Sequence, residues 1–178
     1  MLGKRAETNK EIMLIRISAN KVERIAITTL RISLAYAGVA DDNDFTNARI
    51  YYDLGVTGTY DASDVIIGTV AKPTSGVLLF GSITGFTLQP NKATNILLVI
   101  DHYTMTNGDK VQGIVLEGWV EGECLYTKDS VTSLSNVYGI TKSVANQIYV
   151  SVNNSGDAYT VKSLTKNAVN YQELICLL

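Results

Sequence analysis

The chain has 178 residues, enough to bury the core of one ordinary domain without staples, and its 15 Lys and Arg against 17 Asp and Glu give a formal charge of −2. That balance excludes a general nucleic-acid binder, which needs a basic footprint to release counterions, and the lack of any apolar run of about 18 residues excludes a membrane-spanning helix. Charged residues make up 18% against 46% hydrophobic, with 10 Tyr but 3 Phe and 1 Trp, a profile suited to half-buried pleated surfaces rather than long helices.

The first ten residues, MLGKRAETNK, are polar and predict a flexible arm over residues 1–10 ahead of a single domain over residues 11–178. They contain no apolar h-region, so they are not a signal peptide, and export would require a leader outside this sequence. Lys4, Arg5, Lys10, Arg16, Lys21, Arg24 and Arg31 crowd the start, while Asp41, Asp42, Asp44, Asp53, Asp61 and Asp64 crowd the next stretch. This segregation reads either as a solvated surface or as electrostatic complementarity between copies.

Strands separated by turn residues then follow at the cadence of a sandwich or barrel. Glu11 to Ala19 places Met13, Ile15 and Ile17 on one face. Ala26, Thr28, Leu30, Ile32, Leu34 and Tyr36 alternate with Ile27, Thr29, Arg31 and Ser33, a period of two. Short strands are expected at Ala48 to Tyr52, Val65 to Val70, Val77 to Phe80 and Phe86 to Leu88, paired antiparallel. Asn95 to Ile100 is a continuous apolar run that fits a central strand buried on both faces. Lys110 to Val120 alternates again, with Val111, Val115 and Trp119 on one side. A Ser/Thr-rich stretch, TKDSVTSLSNVYGITKS, interrupts the pattern before extra strands over residues 147–178. There Ile148, Val150 and Val152 share one parity, and so do Val169, Tyr171, Ile175 and Leu177 near the end. The whole reads as an all-β protein, an antiparallel β-sandwich.

Catalytic signatures are lacking. The single histidine, His102, rules out multi-histidine metal sites; it follows Asp101 at a strand end, where a surface or hydrogen-bonded histidine is expected rather than part of a triad. No GxGxxG, GxxxxGK[ST] or GxSxG element appears, and a non-enzymatic role is expected. Cys124 and Cys176 lack metal-ligand spacing; they read either as one disulfide tying down the C-terminal strand in an oxidising setting or as two buried thiols. Asn153-Asn154-Ser155 is a glycosylation sequon, at Asn153, if the chain is exported.

The most informative stretch runs from Asp53 to Asp64. Asp53, Asp61 and Asp64 occupy first, ninth and twelfth positions with Gly58 at the sixth, the skeleton of a twelve-residue calcium loop in which Thr57 adds a hydroxyl and Thr59 a carbonyl. Gly55 departs from that pattern, standing where an oxygen ligand belongs, and Asp64 is shorter than the usual bidentate Glu. Asp41, Asp42 and Asp44 form a second oxygen-rich cluster, joined to the loop by one short strand and expected within reach of it. Two readings stay open: a calcium site, or Asx-rich turns whose side chains bond their own backbone.

With LIRISA, ITTLRISLAYAG, the Asp-rich turn, DLGVTGTYDASD, IIGT, GVLLF and ILLVID in place, residues 11 to about 121 resemble a β-sandwich module of bacterial and archaeal surface-layer, adhesin and filament proteins. Archaeal cannulae and donor-strand filaments are similar in having one small sandwich per chain. The resemblance implies an immunoglobulin-like or jelly-roll sandwich at the cell surface, and a subunit that polymerises with other copies of itself, with calcium as a gate. Strand donation by Ile12, Met13, Leu14, Ile15 and Ile17 is the expected contact, with VNYQELICLL as alternative donor. The competing expectation is a monomeric adhesion module binding a glycan or host protein through Tyr51, Tyr52, Tyr60 and Tyr103.

Overall fold

A computed structural model describes residues 7–19, 23–103, 109–133, 137–138, 141–145, 148–152, 158–160 and 170–174, with side chains described up to residue 133. Two sheets pack face to face. The first has the order β15-β1-β7-β3-β4, from β1 Glu7–Ala19, β3 Phe45–Tyr52, β4 Val65–Val70, β7 Ala93–His102 and β15 Asn170–Leu174. Its pairs are antiparallel except one: β15 runs parallel to β1, with Ile15 opposite Asn170 and Ala19 opposite Leu174.

The second sheet is built around the thirteen-residue β2, Ile25–Ala37. On one side β2 pairs with β8 Lys110–Val115 and β9 Val120–Cys124; on the other it pairs with β5 Val77–Gly81 and β6 Thr87–Leu88. The sheet extends through β10 Ser130–Thr132, β11 Val137–Tyr138, β12 Thr141–Ala145, β13 Ile148–Val152 and β14 Ala158–Thr160. The chain is an all-β sandwich, as its alternating pattern requires.

The core between the sheets takes Met13, Ile15 and Ile17 from β1, Ile96, Leu98 and Ile100 from β7, and Leu30, Ile32 and Leu34 from β2, all buried. Each such side chain contributes about 1.5–3 kcal/mol by leaving water. Strict alternation along β2 would turn Ile25 and Ile27 outward. A β-bulge between Ile27 and Thr29 spends Thr28 as the extra residue, and Ile25 and Ile27 join Leu30 in the core. The continuous run Ile96–Ile100 is buried on both faces, as expected for the central strand of its sheet.

Two expectations are corrected. Lys110 to Val120 is two strands rather than one, because Leu116–Trp119 forms a turn in which Gly118 takes a φ of 76°, a value that favours glycine. Glu7–Lys10, expected in the flexible arm, belong to β1, paired with β7 and held there by the Asn9 N–H bond to Asp101, which polar composition does not reveal.

Candidate functional site

Two carboxylate-rich segments flank β3, and they lie at its opposite ends. β3 is eight residues long, so at about 3.3 Å per residue it holds the clusters about 23 Å apart. They cannot share an ion, against the expectation that the first lies within reach of the second.

At the first cluster the oxygens serve local backbone. Asp41 accepts from the Asn43 N–H at 2.7 Å while Asp44 accepts from the Asp41 N–H at 2.9 Å, a capping box around the 3-10 turn Asp42–Asp44. Asp42 accepts from the Tyr36 hydroxyl at 2.7 Å and the Gly76 N–H at 3.0 Å, which ties β2 to the β4–β5 connection. Burial and the bond to Asp42 push the Tyr36 phenol above its ordinary pKa.

The loop from Asp53 to Asp64 is organised the same way. Asp53 accepts from the Gly58 N–H at 3.0 Å, and Asp61 from the Val56 and Ser63 N–H groups at 2.9 and 2.8 Å. Asp64 accepts from the Leu54 and Asp61 N–H groups, both at 3.0 Å. Gly55 now has a reason. A Cβ there would lie 2.1 Å from an Asp61 carboxylate oxygen and 2.3 Å from the Ser63 hydroxyl, so a side chain at that position would require both to move. Hydrogen bonds from the Ser63 hydroxyl and then the Val56 and Ser63 N–H groups hold the Asp61 carboxyl below its ordinary pKa. Among the described residues, no three acidic, His or Cys side chains converge to hold a metal ion. In this geometry the carboxylates of Asp41, Asp42, Asp44, Asp53, Asp61 and Asp64 accept hydrogen bonds from nearby backbone and side-chain donors, as Asx-rich turns do.

The loop folds over the outer face of the first sheet. Tyr60 packs on Leu14, Tyr51, Leu97 and Val99, its ring 4.8 Å from that of Tyr51, and its N–H donates to Glu11 of β1 at 3.1 Å. Tyr52 points the other way, into the core, with its ring 5.5 Å from Phe86. Tyr51, Tyr52 and Tyr60 are thus packing residues, and the expected tyrosine-lined binding surface is not assembled; Tyr103 is exposed, on a different strand end. Asp53, only 8% exposed, keeps one carboxylate oxygen buried without a hydrogen-bond partner. Burial pushes its pKa up, the Gly58 bond opposes that, and the neighbouring Asp64 and Asp61 charges push it further up.

Further along, Asp101 of β7 is buried and accepts from the Asn9 N–H at 2.8 Å, the Asn47 amide at 2.9 Å and the Arg49 guanidinium at 2.6 Å. Burial would raise its pKa, but the three donors outweigh it and hold the carboxyl below its ordinary value. His102 is buried, yet as the next residue along the same strand it projects to the opposite face. The two make no catalytic pair.

β4 is the edge of the first sheet and among the described residues pairs with β3 alone. Its sequence VIIGTV carries no charge. Ile67 and Val70 pack toward the core, while Val65 and Ile66 are 51% and 48% exposed. A bulge between Ile50 and Tyr51 of β3 makes Ile67 the extra residue, and Gly68 also faces inward, where a Cβ would sit 3.0 Å from Ile50. Beside the strand's C-terminal half lies a groove of about 410 Å³ lined by Asn47, Ala48, Arg49, Thr69, Val70 and Ala71. The sequence predicts this strand with the same limits, while its place at the edge is a property of the sheet. The signal was an apolar, uncharged strand between Asp64 and Lys72-Pro73.

By contrast, β1 is an interior strand, hydrogen-bonded to β7 on one side and β15 on the other. Ile12, Met13, Leu14, Ile15 and Ile17 are all buried in their own molecule. Cys124 is buried and disulfide-bonded; Cys176, the only other cysteine of the chain, lies outside the described residues, as do Asn153, Val169, Ile175 and Leu177.

Fold and site together define a β-sandwich with an apolar sheet edge. No protein-family model, curated protein or solved structure matches the chain.

Proposed function

We propose that this chain is a structural, non-catalytic subunit of an extracellular filament, tube or surface assembly, and that copies join by pairing at sheet edges. The observation that carries this reading is β4: six residues without a charge, exposed at Val65 and Ile66, at the edge of a sheet. Chains that stay monomeric blunt such edges with charges, prolines or covering segments. Here, among the described residues, the strand pairs with β3 alone and carries a bulge at Ile67.

The second edge of the same sheet is β15, whose five residues pair with β1. Because β1 is held on both sides within its own chain, the C-terminal strand is the better candidate for exchange between copies than the N-terminal one. A contact that adds one copy's terminal strand to the next copy's sheet does not close on itself and propagates. The disulfide at Cys124 supports an oxidising compartment, in keeping with the resemblance to cell-surface modules.

The test is size-exclusion chromatography with light scattering, and negative-stain microscopy, on the wild type and on Val65→Lys/Ile66→Lys. Wild type is expected to form concentration-dependent oligomers or filaments, and the double variant to elute as a folded monomer with unchanged circular dichroism. A wild type that stays monomeric at every concentration would sink the reading.

A further inference from the structure

We infer that β15 and the Cys124 disulfide form one exchangeable clamp: when the C-terminal strand of one copy pairs with β1 of another, Cys176 travels with it and closes on Cys124 of the receiving copy, so the joint between copies is covalent. This rests on the reading that copies exchange the C-terminal strand, and adds the chemistry that locks the joint. Cys124 is disulfide-bonded and the chain has 2 cysteines, so its partner is Cys176. That residue stands two positions beyond Leu174, the last of β15. Ladder and disulfide therefore bind the same short segment.

Both halves of the receiving site are held without β15. β1 is laddered to β7 from Glu7 to Ser18, which keeps it in place when the C-terminal strand leaves, and it offers the edge from Ile15 to Ala19 that β15 occupies. Cys124 ends β9 in the other sheet, opposite Ile25 of β2, and its N–H donates to the Asp129 carbonyl at 2.9 Å. Two residues of chain span at most about 7 Å, so a strand with Leu174 opposite Ala19 brings its Cys176 to the Cys124 of the body it lies on, whichever copy supplied it. Exchange also removes the alternative partner, because a copy whose own C-terminal strand has left has given up its own Cys176. Closure follows by thiol–disulfide exchange with a disulfide donor such as oxidised glutathione. One cysteine thiolate attacks the donor and releases a glutathione; the other attacks the mixed disulfide and releases the second, so two electrons and two protons pass from the cysteine pair to the donor. A chain that closes on itself first keeps its strand; one that exchanges first is joined to the next copy.

Isotope mixing tests the joint. Ordinary and nitrogen-15 chains are mixed in reducing urea, refolded together at high concentration and closed with oxidised glutathione, with light scattering run in parallel; the control closes each form separately before mixing. Trypsin releases Cys124 within residues 111–128 and Cys176 within residues 167–178, and mass spectrometry reads which peptides are linked. Cys124–Cys176 pairs that join a light peptide to a heavy one are expected in the mixture and absent from the control, together with multimers on a denaturing gel that collapse to monomers in dithiothreitol. Oligomers whose Cys124–Cys176 pairs are all of one isotope overturn the inference and leave self-assembly standing, because the copies then join without passing the strand. Cross-copy bonds that link Cys124 to Cys124, or Cys176 to Cys176, in place of the mixed pair report random oxidation and overturn it as well. Chains that stay monomeric with single-isotope pairs overturn both readings.

Discussion

Asn9 and Asn47 stand on the two strands that flank β7, both with positive φ, 56° and 49°, and both donate to the Asp101 carboxylate between them. Each lies where its strand slips register against β7, between Glu7 and Lys10 on β1 and between Thr46 and Arg49 on β3. Asparagine tolerates the left-handed conformation better than most residues, so one buried acceptor organises two bulges on opposite sides. Asp101 is the pin that fixes the register of three strands.

Removing that pin should be costly. Asp101→Ala leaves the Asn9 N–H, the Asn47 amide and the Arg49 guanidinium without their acceptor, and should destabilise the protein by about 3 kcal/mol in urea unfolding. Asp101→Asn, which keeps one acceptor oxygen, should lose less. Because the folded pKa is depressed, the carboxylate's contribution is complete above its unfolded value of about 3.9 and disappears as pH falls through the folded value. The gap between wild type and Asp101→Asn should therefore narrow toward pH 2; a gap that widens there would contradict the assignment.

Asp53 should behave with the opposite sign. Its folded pKa is raised, so ionisation costs stability at neutral pH and that cost is relieved as pH falls through the raised value toward the unfolded one. Asp53→Asn should compare most favourably with wild type near pH 7 and lose that relative advantage as the solution is acidified to about pH 4. A stability difference that stays flat across this range in thermal melts would mean that Asp53 is not the strained carboxylate.

The loop should be indifferent to calcium. Its carboxylates are engaged by backbone N–H groups, so millimolar calcium and excess chelator should give melting temperatures within about 1 °C of each other. Specific binding to the native state would instead raise stability by mass action, by about 2.7 kcal/mol at a hundredfold excess over Kd, and a shift of several degrees would restore the metal reading.

Gly122 should not tolerate a side chain. A Cβ there would lie 2.7 Å from Ile25 and 2.8 Å from the Ala26 carbonyl oxygen, and a backbone atom cannot swing away. Gly122→Ala should cost about 1–3 kcal/mol. At Gly81 nothing lies within 4 Å, so Gly81→Ala should stay within about 0.5 kcal/mol of wild type. Equal effects at both sites would show that the β2–β9 approach is looser than described.

Strand positions were legible because period-two alternation is a local property. Val65 to Val70 has the same limits in the structure as in the sequence reading. What alternation cannot register is a bulge, which changes parity without changing composition; Thr28 therefore hid the burial of Ile25 and Ile27. The Asp53–Asp64 loop was legible as a cluster of oxygens, but which donors those oxygens meet is a matter of backbone direction. Gly55 carried the clue, since a glycine at a ligand position is what a folded-back carboxylate demands. The Asp101 network joins residues from three distant segments, and only the register of the sheet brings them together.

The parallel alignment of β15 with β1 has a mechanical consequence. Tension applied to the two chain ends pulls these neighbours lengthwise in opposite directions, so their ladder is loaded in shear. Along its five residue pairs the bonds share the load and must give way together, instead of opening one at a time as a zipper does. Single-molecule stretching from the termini should meet its main resistance at this ladder, and proline at Gln172 should lower the rupture force.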